Sequence, residues 1–395
     1  MPTEFRDFTR QILASPILIV DDDEINRIFL EKTLRARGFT NLLCAVSAED
    51  AFGKMEAFRP EMVLLDILMP GGMDGFECCE KLRQQKRYCD LPILIETTIT
   101  EPELRAKAFQ KGATDFVSKP VYAEELCARV RVHLEKRLSL KTLQRYKNRI
   151  EVELESARQL QQGILPEAGD LKESERRCGL SVASAFEPSS EIGGDFWGMQ
   201  NMFLHQTALW LVDFSGHGVA AALNAFRLHA YLKEYSQLAA RPGEYLSYLN
   251  DKLLQLLPRG QFATMFYGIV DTQTSQLFYA CACMPHPIVL RRATGRAEMI
   301  DGSGNPLGIG MHLYSTKTIP FASGDLLLLY SDAYTETPDA KGAFITEEQI
   351  MSLIEKNSLA SPSALKDILL DHFKHHAGGA PCDDLTIVVC ARSTI

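Results

Sequence analysis

Two groups of aspartates stand out in this chain, because each member follows or flanks an apolar run. Asp21, Asp22 and Asp66 form the first group, with Lys119 as the cation of the set. Asp195, Asp213, Asp332 and the pair Asp383–Asp384 form the second. Carboxylates gathered at strand ends repel one another unless something positive neutralises them. Hard divalent cations such as Mg²⁺ and Mn²⁺ prefer such oxygen ligands. The residue types therefore point to two separate metal-binding centres.

The elements that must position the first group are legible. Pro16-Ile-Leu-Ile-Val-Asp21 is a continuous apolar run ending in acid, the pattern of a parallel strand covered on both faces. Residues 24–37 follow with helical spacing and stop at Gly38. The alternation recurs at Met62-Val-Leu-Leu-Asp66, at Pro92-Ile-Leu-Ile and at Asp115-Phe-Val-Ser. Strand–helix units of this kind predict a doubly wound parallel sheet, whose sites form at the carboxyl ends of the strands. Asp21, Asp22, Asp66, Thr97 and Lys119 all fall at such ends.

With V-D-D, L-L-D-I-L-M-P, M-D-G, a Thr after the fourth strand and K-P in order, the region resembles a response-regulator receiver domain of flavodoxin-like (βα)5 fold. The resemblance implies that Asp66 is the phosphoacceptor. It implies that Asp22, Asp66 and the carbonyl of Leu68 hold Mg²⁺, with Asp21 acting through water. Lys119 would contact the phosphoryl oxygens, Pro120 would follow a cis peptide, Thr97 would bond the aspartyl phosphate, and Phe116 would turn inward with it. A sensor histidine kinase is the implied phosphoryl source. Two departures are visible: Gly-Gly-Met-Asp-Gly after Pro70 is one residue longer than the usual loop, and Thr98 replaces a small residue.

Between Tyr122 and Leu165 the chain is charged and helix-favouring, with no Gly before Gly163. Leu143, Lys147, Ile150, Leu154, Ala157, Gln161 and Ile164 alternate four and three, a heptad seam with polar insertions. This predicts a coiled-coil linker and a homodimer through it. The expected division is an N-terminal extension over 1–14, the receiver over 15–125, the linker over 126–168 and a last domain over 169–395.

That last region alternates strands with a few longer helices, which predicts two stacked sheets covered by helix pairs. Pro188-Ser-Ser-Glu-Ile-Gly-Gly-Asp195-Phe-Trp, then Asp213-Phe-Ser-Gly-His217-Gly, Asn305-Pro-Leu-Gly, Ser331-Asp332-Ala and Asp383-Asp384-Leu-Thr occur in order. These motifs resemble the PPM-type metal-dependent Ser/Thr protein phosphatases of the RsbU/SpoIIE-like branch, an α-β-β-α sandwich. The resemblance implies two Mn²⁺ or Mg²⁺ ions held by Asp195, Asp213, the carbonyl of Phe214, Asp332 and Asp383, with Asp384 as a further ligand. His217 would protonate the leaving oxygen. The family has Asp-Gly where this chain has Asp332-Ala333, and a different turn where it has Ala282-Cys-Met-Pro-His286-Pro. Gly193-Gly-Asp-Phe overlaps a diguanylate cyclase signature, but Trp197 stands where that signature needs an acid.

Composition narrows the class. The net charge of −9 argues against nucleic acid as the main ligand. Ten cysteines, without any CxxC pair, fit buried thiols in a reducing compartment. Without a signal peptide or an apolar run long enough to span a bilayer, the expectation is a cytoplasmic protein. Taken together, the expected function is a two-component response regulator. Phosphorylation at Asp66 would control a phosphoserine/phosphothreonine phosphatase acting on a STAS-type anti-anti-sigma protein, and so a sigma factor. The alternative is a receiver-controlled adaptor whose phosphatase-like domain only binds a partner.

Overall fold

The computed structural model describes residues 3–97, 102–189, 192–203, 205–216, 218–234, 237–379 and 381–393. They form two compact units, Met1–Ile150 and Glu151–Ile395. No helix among the described residues is long and apolar enough to cross a membrane.

The first unit runs α1 (Thr3–Leu13), β1 (Ile17–Val20), α2 (Glu24–Ala36), β2 (Leu42–Ala45), α3 (Ala48–Phe58), β3 (Met62–Asp66), α4 (Gly75–Gln84), β4 (Ile93–Thr97), α5 (Pro102–Gln110), β5 (Asp115–Ser118) and α6 (Ala123–Gln162). The five strands are parallel in the order β2-β1-β3-β4-β5. Alternation along the strands feeds two cores. Leu18, Val20, Val63 and Leu65 pack on α3 and α4 through Ala51, Met55, Cys79 and Leu82. Ile17, Ile19, Met62 and Leu64 pack on α2 and α6 through Leu30, Leu34, Leu126, Val130 and Leu134. Burial on both faces is why these strands read as unbroken apolar runs. The α6 stripe that covers the sheet continues to Leu134.

The second unit contains α7 (Ala168–Cys178), β6 (Leu180–Glu187), β7 (Phe196–Asn201), β8 (Gln206–Phe214), α8 (Val219–Lys233), α9 (Pro242–Leu256), β9 (Ala263–Asp271), β10 (Gln276–Ala282), β11 (Ile288–Arg291), β12 (Arg296–Met299), β13 (Lys317–Pro320), β14 (Leu326–Tyr330), α10 (Ala333–Glu336), α11 (Glu347–Lys356), α12 (Pro362–Ala377) and β15 (Leu385–Arg392). Two antiparallel five-stranded sheets, β13-β10-β9-β8-β7 and β12-β11-β14-β15-β6, make the frame. Trp197, Leu209, Leu211 and Phe266 of one sheet meet Leu327, Leu329, Val388 and Cys390 of the other in a shared core. The outer faces carry α8 and α9 on the first sheet and α10 to α12 on the second. The architecture is the expected α-β-β-α sandwich.

Loops that carry side chains to the sheet ends need fixing. Arg83 does this in the first unit, donating to the carbonyls of Gly112 (2.8 Å), Tyr88 (3.0 Å) and Leu91 (2.7 Å) and to Thr114 Oγ1 (3.2 Å). It ties α4 to the turns entering β4 and β5. Replacing it by Met keeps the stem but leaves these carbonyls without their charged donor, at about 1–3 kcal/mol per unsatisfied buried group. Arg83→Met is expected to lower the melting temperature of the first unit clearly while that of the second stays put. Calorimetry of the full chain resolves this.

Candidate functional site

The first acidic group forms where β1, β3 and β5 end. Asp21 and Asp22 follow β1, Asp66 closes β3, and Lys119 follows β5. Asp21, Asp22 and Asp66 each place a carboxylate oxygen within 4.8 Å of the others. Lys119 Nζ donates to Asp66 Oδ2 at 2.8 Å and to Asp21 Oδ2 at 3.2 Å. Asp21 Oδ1 accepts from the Asp23 amide at 2.7 Å, and Asp23 caps α2 through the Ile25 amide. Three carboxylates with one lysine leave an all-oxygen donor set still short of positive charge, which suits a hard divalent ion.

Around this set, the Lys119 amide donates to the Thr97 carbonyl at 2.8 Å, and Lys119–Pro120 is a cis peptide. Thr97 ends β4 and is buried. The Leu68 amide lies 3.4 Å from Asp66 Oδ1, with the Leu68 side chain exposed. Phe116 is half-buried under the Arg105 guanidinium, 4.5 Å from the ring centre. Thr98 lies outside the described residues. Gly75, of the M-D-G motif, is needed for space, because a Cβ there would stand 2.4 Å from the Asp66 carbonyl oxygen. Burial raises the Asp21 carboxyl, with the Lys119 charge opposing it. One acid of this pocket escaped the sequence reading. Glu96, buried in β4, is pushed up to about 8 by burial. Its signal was a lone charge at the end of the Ile-Leu-Ile run.

The second group gathers at one end of the sandwich. Asp213 closes β8 with Phe214, Asp195 precedes β7, Asp332 follows β14, and Asp383–Asp384 enter β15. Ser331 fastens β14 to β15: its Oγ donates to the Asp384 carbonyl and accepts from the Thr386 amide, both at 2.8 Å. Thr386 Oγ1 donates to Asp195 Oδ2 at 2.7 Å, which orients that carboxyl. Asp384 turns inward: Oδ1 accepts from the Ser189 amide (2.8 Å) and hydroxyl (3.1 Å), and Oδ2 from the Gly194 amide at 2.5 Å. This carboxylate is the anchor of the Gly193-Gly194-Asp195 loop. A Cβ at Gly193 would lie 2.2 Å from Asp384 Oδ2, so only glycine lets the loop close.

Burial raises Asp195 strongly, and the charges of Asp213 and Asp384 add to it. Burial, then the Asp332 charge, pushes Asp213 up to about 8. Burial and the Glu336 charge push Asp332 up to about 6. Among the described residues none of these three faces a cationic side chain. The donor set is again oxygen-rich and short of positive charge, the chemistry a divalent ion needs, although among the described residues only Asp21, Asp22 and Asp66 bring three carboxylates within 4.8 Å of one another. His217 lies outside the described residues. Ala333 starts α10 and does not take a positive φ, so its Cβ is at ease. Cys283, in the divergent turn, does take one, at φ 55°.

Gln161 is where the structure departs most from the heptad expectation. It is 2% exposed, and its Nε2 donates to the Gly193 carbonyl at 2.7 Å while its Oε1 accepts from the Gly193 amide at 3.0 Å. The amide therefore clamps both polar groups of one glycine beside Asp195. No local sequence signal could pair residues 32 positions apart. Leu143 and Ile150 of the expected seam are exposed, at 65% and 54%.

The raised acids give a linkage prediction. Between about pH 4 and about pH 8 the folded protein holds protons that the unfolded chain has lost, so folding becomes less favourable as pH rises through that window. In excess chelator, the melting temperature of the second unit is expected to fall from about pH 5 to about pH 8. Mn²⁺ should raise it more at the higher pH, where protons no longer compete. Asp213→Asn should flatten both trends in a fluorescence melt.

Residues 17–131 match the response regulator receiver domain family, and residues 205–393 match the Stage II sporulation protein E (SpoIIE) family. The second stretch includes Asp213, Asp332, Asp383 and Asp384, while Asp195 precedes it. The chain is 38% identical over 120 residues to the transcriptional regulatory protein YvrH of Bacillus subtilis (strain 168), covering 30% of this chain and 49% of that one. It is 32% identical over 118 residues to the DNA-binding dual master transcriptional regulator RpaA of Synechocystis sp. (strain ATCC 27184 / PCC 6803 / Kazusa), covering 30% and 48%. It thus spans about half the length of these two relatives. Among solved structures, the SiaA-PP2C domain of Pseudomonas aeruginosa shares the fold, with a TM-score of 0.54 and 18% identity over 62% of this chain and 97% of that one. The chain joins a response regulator receiver domain to a SpoIIE-type domain with the PP2C phosphatase fold.

Proposed function

We propose that the chain is a metal-dependent phosphoserine/phosphothreonine protein phosphatase whose activity is set by phosphorylation of Asp66. The observation that carries this reading is the unneutralised cluster of Asp195, Asp213 and Asp332 beside Asp383. Each of the first three is pushed up by burial and neighbouring charge, with no cation nearby among the described residues. Asp195, Asp213, Asp332, Asp383 and the Phe214 carbonyl would hold two Mn²⁺ or Mg²⁺ ions. When bound, such ions neutralise phosphoryl charge and supply an activated water. The chain's own part is positional: Thr386 orients Asp195, Asp384 closes the glycine loop, and His217 protonates the leaving oxygen. In the first unit, Asp22, Asp66 and the Leu68 carbonyl would hold Mg²⁺, with Asp21 acting through water, and Lys119 and Thr97 would bind the phosphoryl oxygens.

The phosphoryl source is a sensor histidine kinase. By likeness to the RsbU/SpoIIE branch, the substrate is a phosphorylated STAS-domain anti-anti-sigma protein. Purified chain with Mn²⁺ is expected to hydrolyse p-nitrophenyl phosphate and such a phosphoprotein. Asp195→Ala should lower turnover by at least about a hundredfold. Acetyl phosphate with Mg²⁺ should label the wild type and leave Asp66→Asn unlabelled. A wild type that binds the phosphoprotein without turnover would favour the adaptor reading instead.

Control travels through α6, which begins in the first unit and ends at the Gln161 clamp on Gly193. A homodimer through the exposed Leu143 and Ile150 of the heptad seam gives that helix two arrangements to choose between. Gln161→Met keeps the volume and removes both hydrogen bonds. It is expected to cut p-nitrophenyl phosphate turnover about tenfold or more and to abolish the response to acetyl phosphate. In a chain made monomeric by Ile150→Glu with Leu154→Glu, checked by sedimentation, regulation should be lost while basal turnover persists.

A further inference from the structure

The turn from β10 into β11 carries a motif that the proposed chemistry leaves unused, Cys283-Met-Pro-His286. It lines a groove of about 480 Å³ that also takes in Ser303, Asp332, Glu336 and Glu347. Binding pockets usually enclose about 300–1,000 Å³. The groove has a fixed frame. The Met284 amide donates to the Gly302 carbonyl at 3.2 Å, and a Cβ on Gly302 would stand 2.5 Å from the Met284 carbonyl oxygen. The turn and the loop before Ser303 are therefore closely fitted. Cys283 holds φ 55° within this turn, which a residue with a Cβ keeps only where its surroundings enforce it. Glu347 is the first residue of α11, whose start is fixed by the capping box of Thr346 and Gln349. His286 Nδ1 stands 3.1 Å from Glu347 Oε1, so the turn and the helix start are joined across an ion pair.

We infer that Glu347 is a specificity-determining residue, and that the groove takes a lysine or arginine side chain flanking the phosphorylated residue of the protein substrate. This rests on the phosphatase reading. Asp332 belongs to the proposed metal set and lines the groove, so a phosphoryl group held at that set brings its neighbours in sequence to the groove. The lining decides which neighbours suit. Glu336 and Glu347 are carboxylates that the metal set does not use, and His286 is the one lining side chain able to carry positive charge. Neither lysine nor arginine lines the groove. A basic flanking residue therefore meets opposite charge, while an acidic one meets like charge and is turned away. The Glu347 side chain is 33% exposed, so an incoming cation can reach it. His286 has a second effect: its ring already faces the carboxylate that the substrate's cation must reach, and so competes for it.

The test uses two phosphoserine peptides, alike except for lysine or glutamate on both sides of the phosphoserine. Each is titrated as an inhibitor of p-nitrophenyl phosphate hydrolysis by the full chain with Mn²⁺, so neither needs to be turned over. The wild type is expected to bind the lysine peptide about fivefold or more tighter than the glutamate peptide. Glu347→Gln should shrink that ratio to less than about twofold, while His286→Ala, which frees the carboxylate, should widen it beyond the wild-type value. Both side chains are partly exposed, so both variants are expected to fold. Taking the ratio of two peptides cancels any shared loss of turnover. A wild type that binds the two peptides alike, binds the glutamate peptide tighter, or binds neither would overturn the inference. So would a ratio unchanged in Glu347→Gln, or one that falls equally in both variants, since the pair would then only brace the turn. If the wild type with Mn²⁺ hydrolyses no p-nitrophenyl phosphate, the phosphatase reading itself fails and takes this inference with it. That failure is distinct, because it is seen before any peptide is added.

Discussion

Asp195 is 1% exposed and shares its surroundings with Asp213 and Asp384, so the second unit crowds acidic groups where water cannot screen the charge they would carry. Mutual repulsion of this kind would spread the loops apart unless they were held by other means. The same difficulty recurs in the first unit at Asp21 and Asp66, where Lys119 reduces it. Much of the local architecture in both units is a response to that repulsion.

In the second unit the response is hydrogen bonding from the backbone. Asp384 is buried but answered by the amides of Ser189 and Gly194, and Asp195 is answered by Thr386. These donors carry partial positive charge without adding a side-chain cation, so they fix geometry without neutralising the cluster. Asp384 and Gly193 depend on each other: the carboxylate fills the space a Cβ would need, and the glycine lets its neighbour's amide reach the oxygen. In the first unit the response is a lysine held at the end of β5, which donates to both Asp66 and Asp21.

The Gln161 clamp adds a mechanical element to this electrostatic one. A side-chain amide that bonds both the N–H and the C=O of Gly193 fixes that residue's orientation, and with it the start of the Asp195 loop. The clamp belongs to the last turn of a 40-residue helix, so the end of that helix and the loop are tied by hydrogen bonds. The loop that carries Asp195 is thus held from two sides, by Asp384 at Gly194 and by Gln161 at Gly193.

Much of this was legible beforehand. Unbroken apolar runs ending in acid located β1 and β3 with Asp21, Asp22 and Asp66, because a strand buried on both faces has no room for polarity until its end. In the second unit the alternation of strands with a few longer helices predicted two stacked sheets, and the resemblance of its ordered acidic motifs to a known family implied the α-β-β-α sandwich. Periodicity also found α6, but could not say which of its residues were spoken for. Gln161 looked like a polar flaw in a seam, and only the tertiary structure brings it to Gly193. Asp383 and Asp384 are neighbours of one type in sequence, and the turn into β15 makes one face the cluster and the other the loop. Glu96 read as the end of a strand until the register placed it beside Asp66. Local pattern determines which residues leave water and which elements form. Long-range pairing decides which of the buried polar groups find partners, because that depends on chain segments no window of sequence contains.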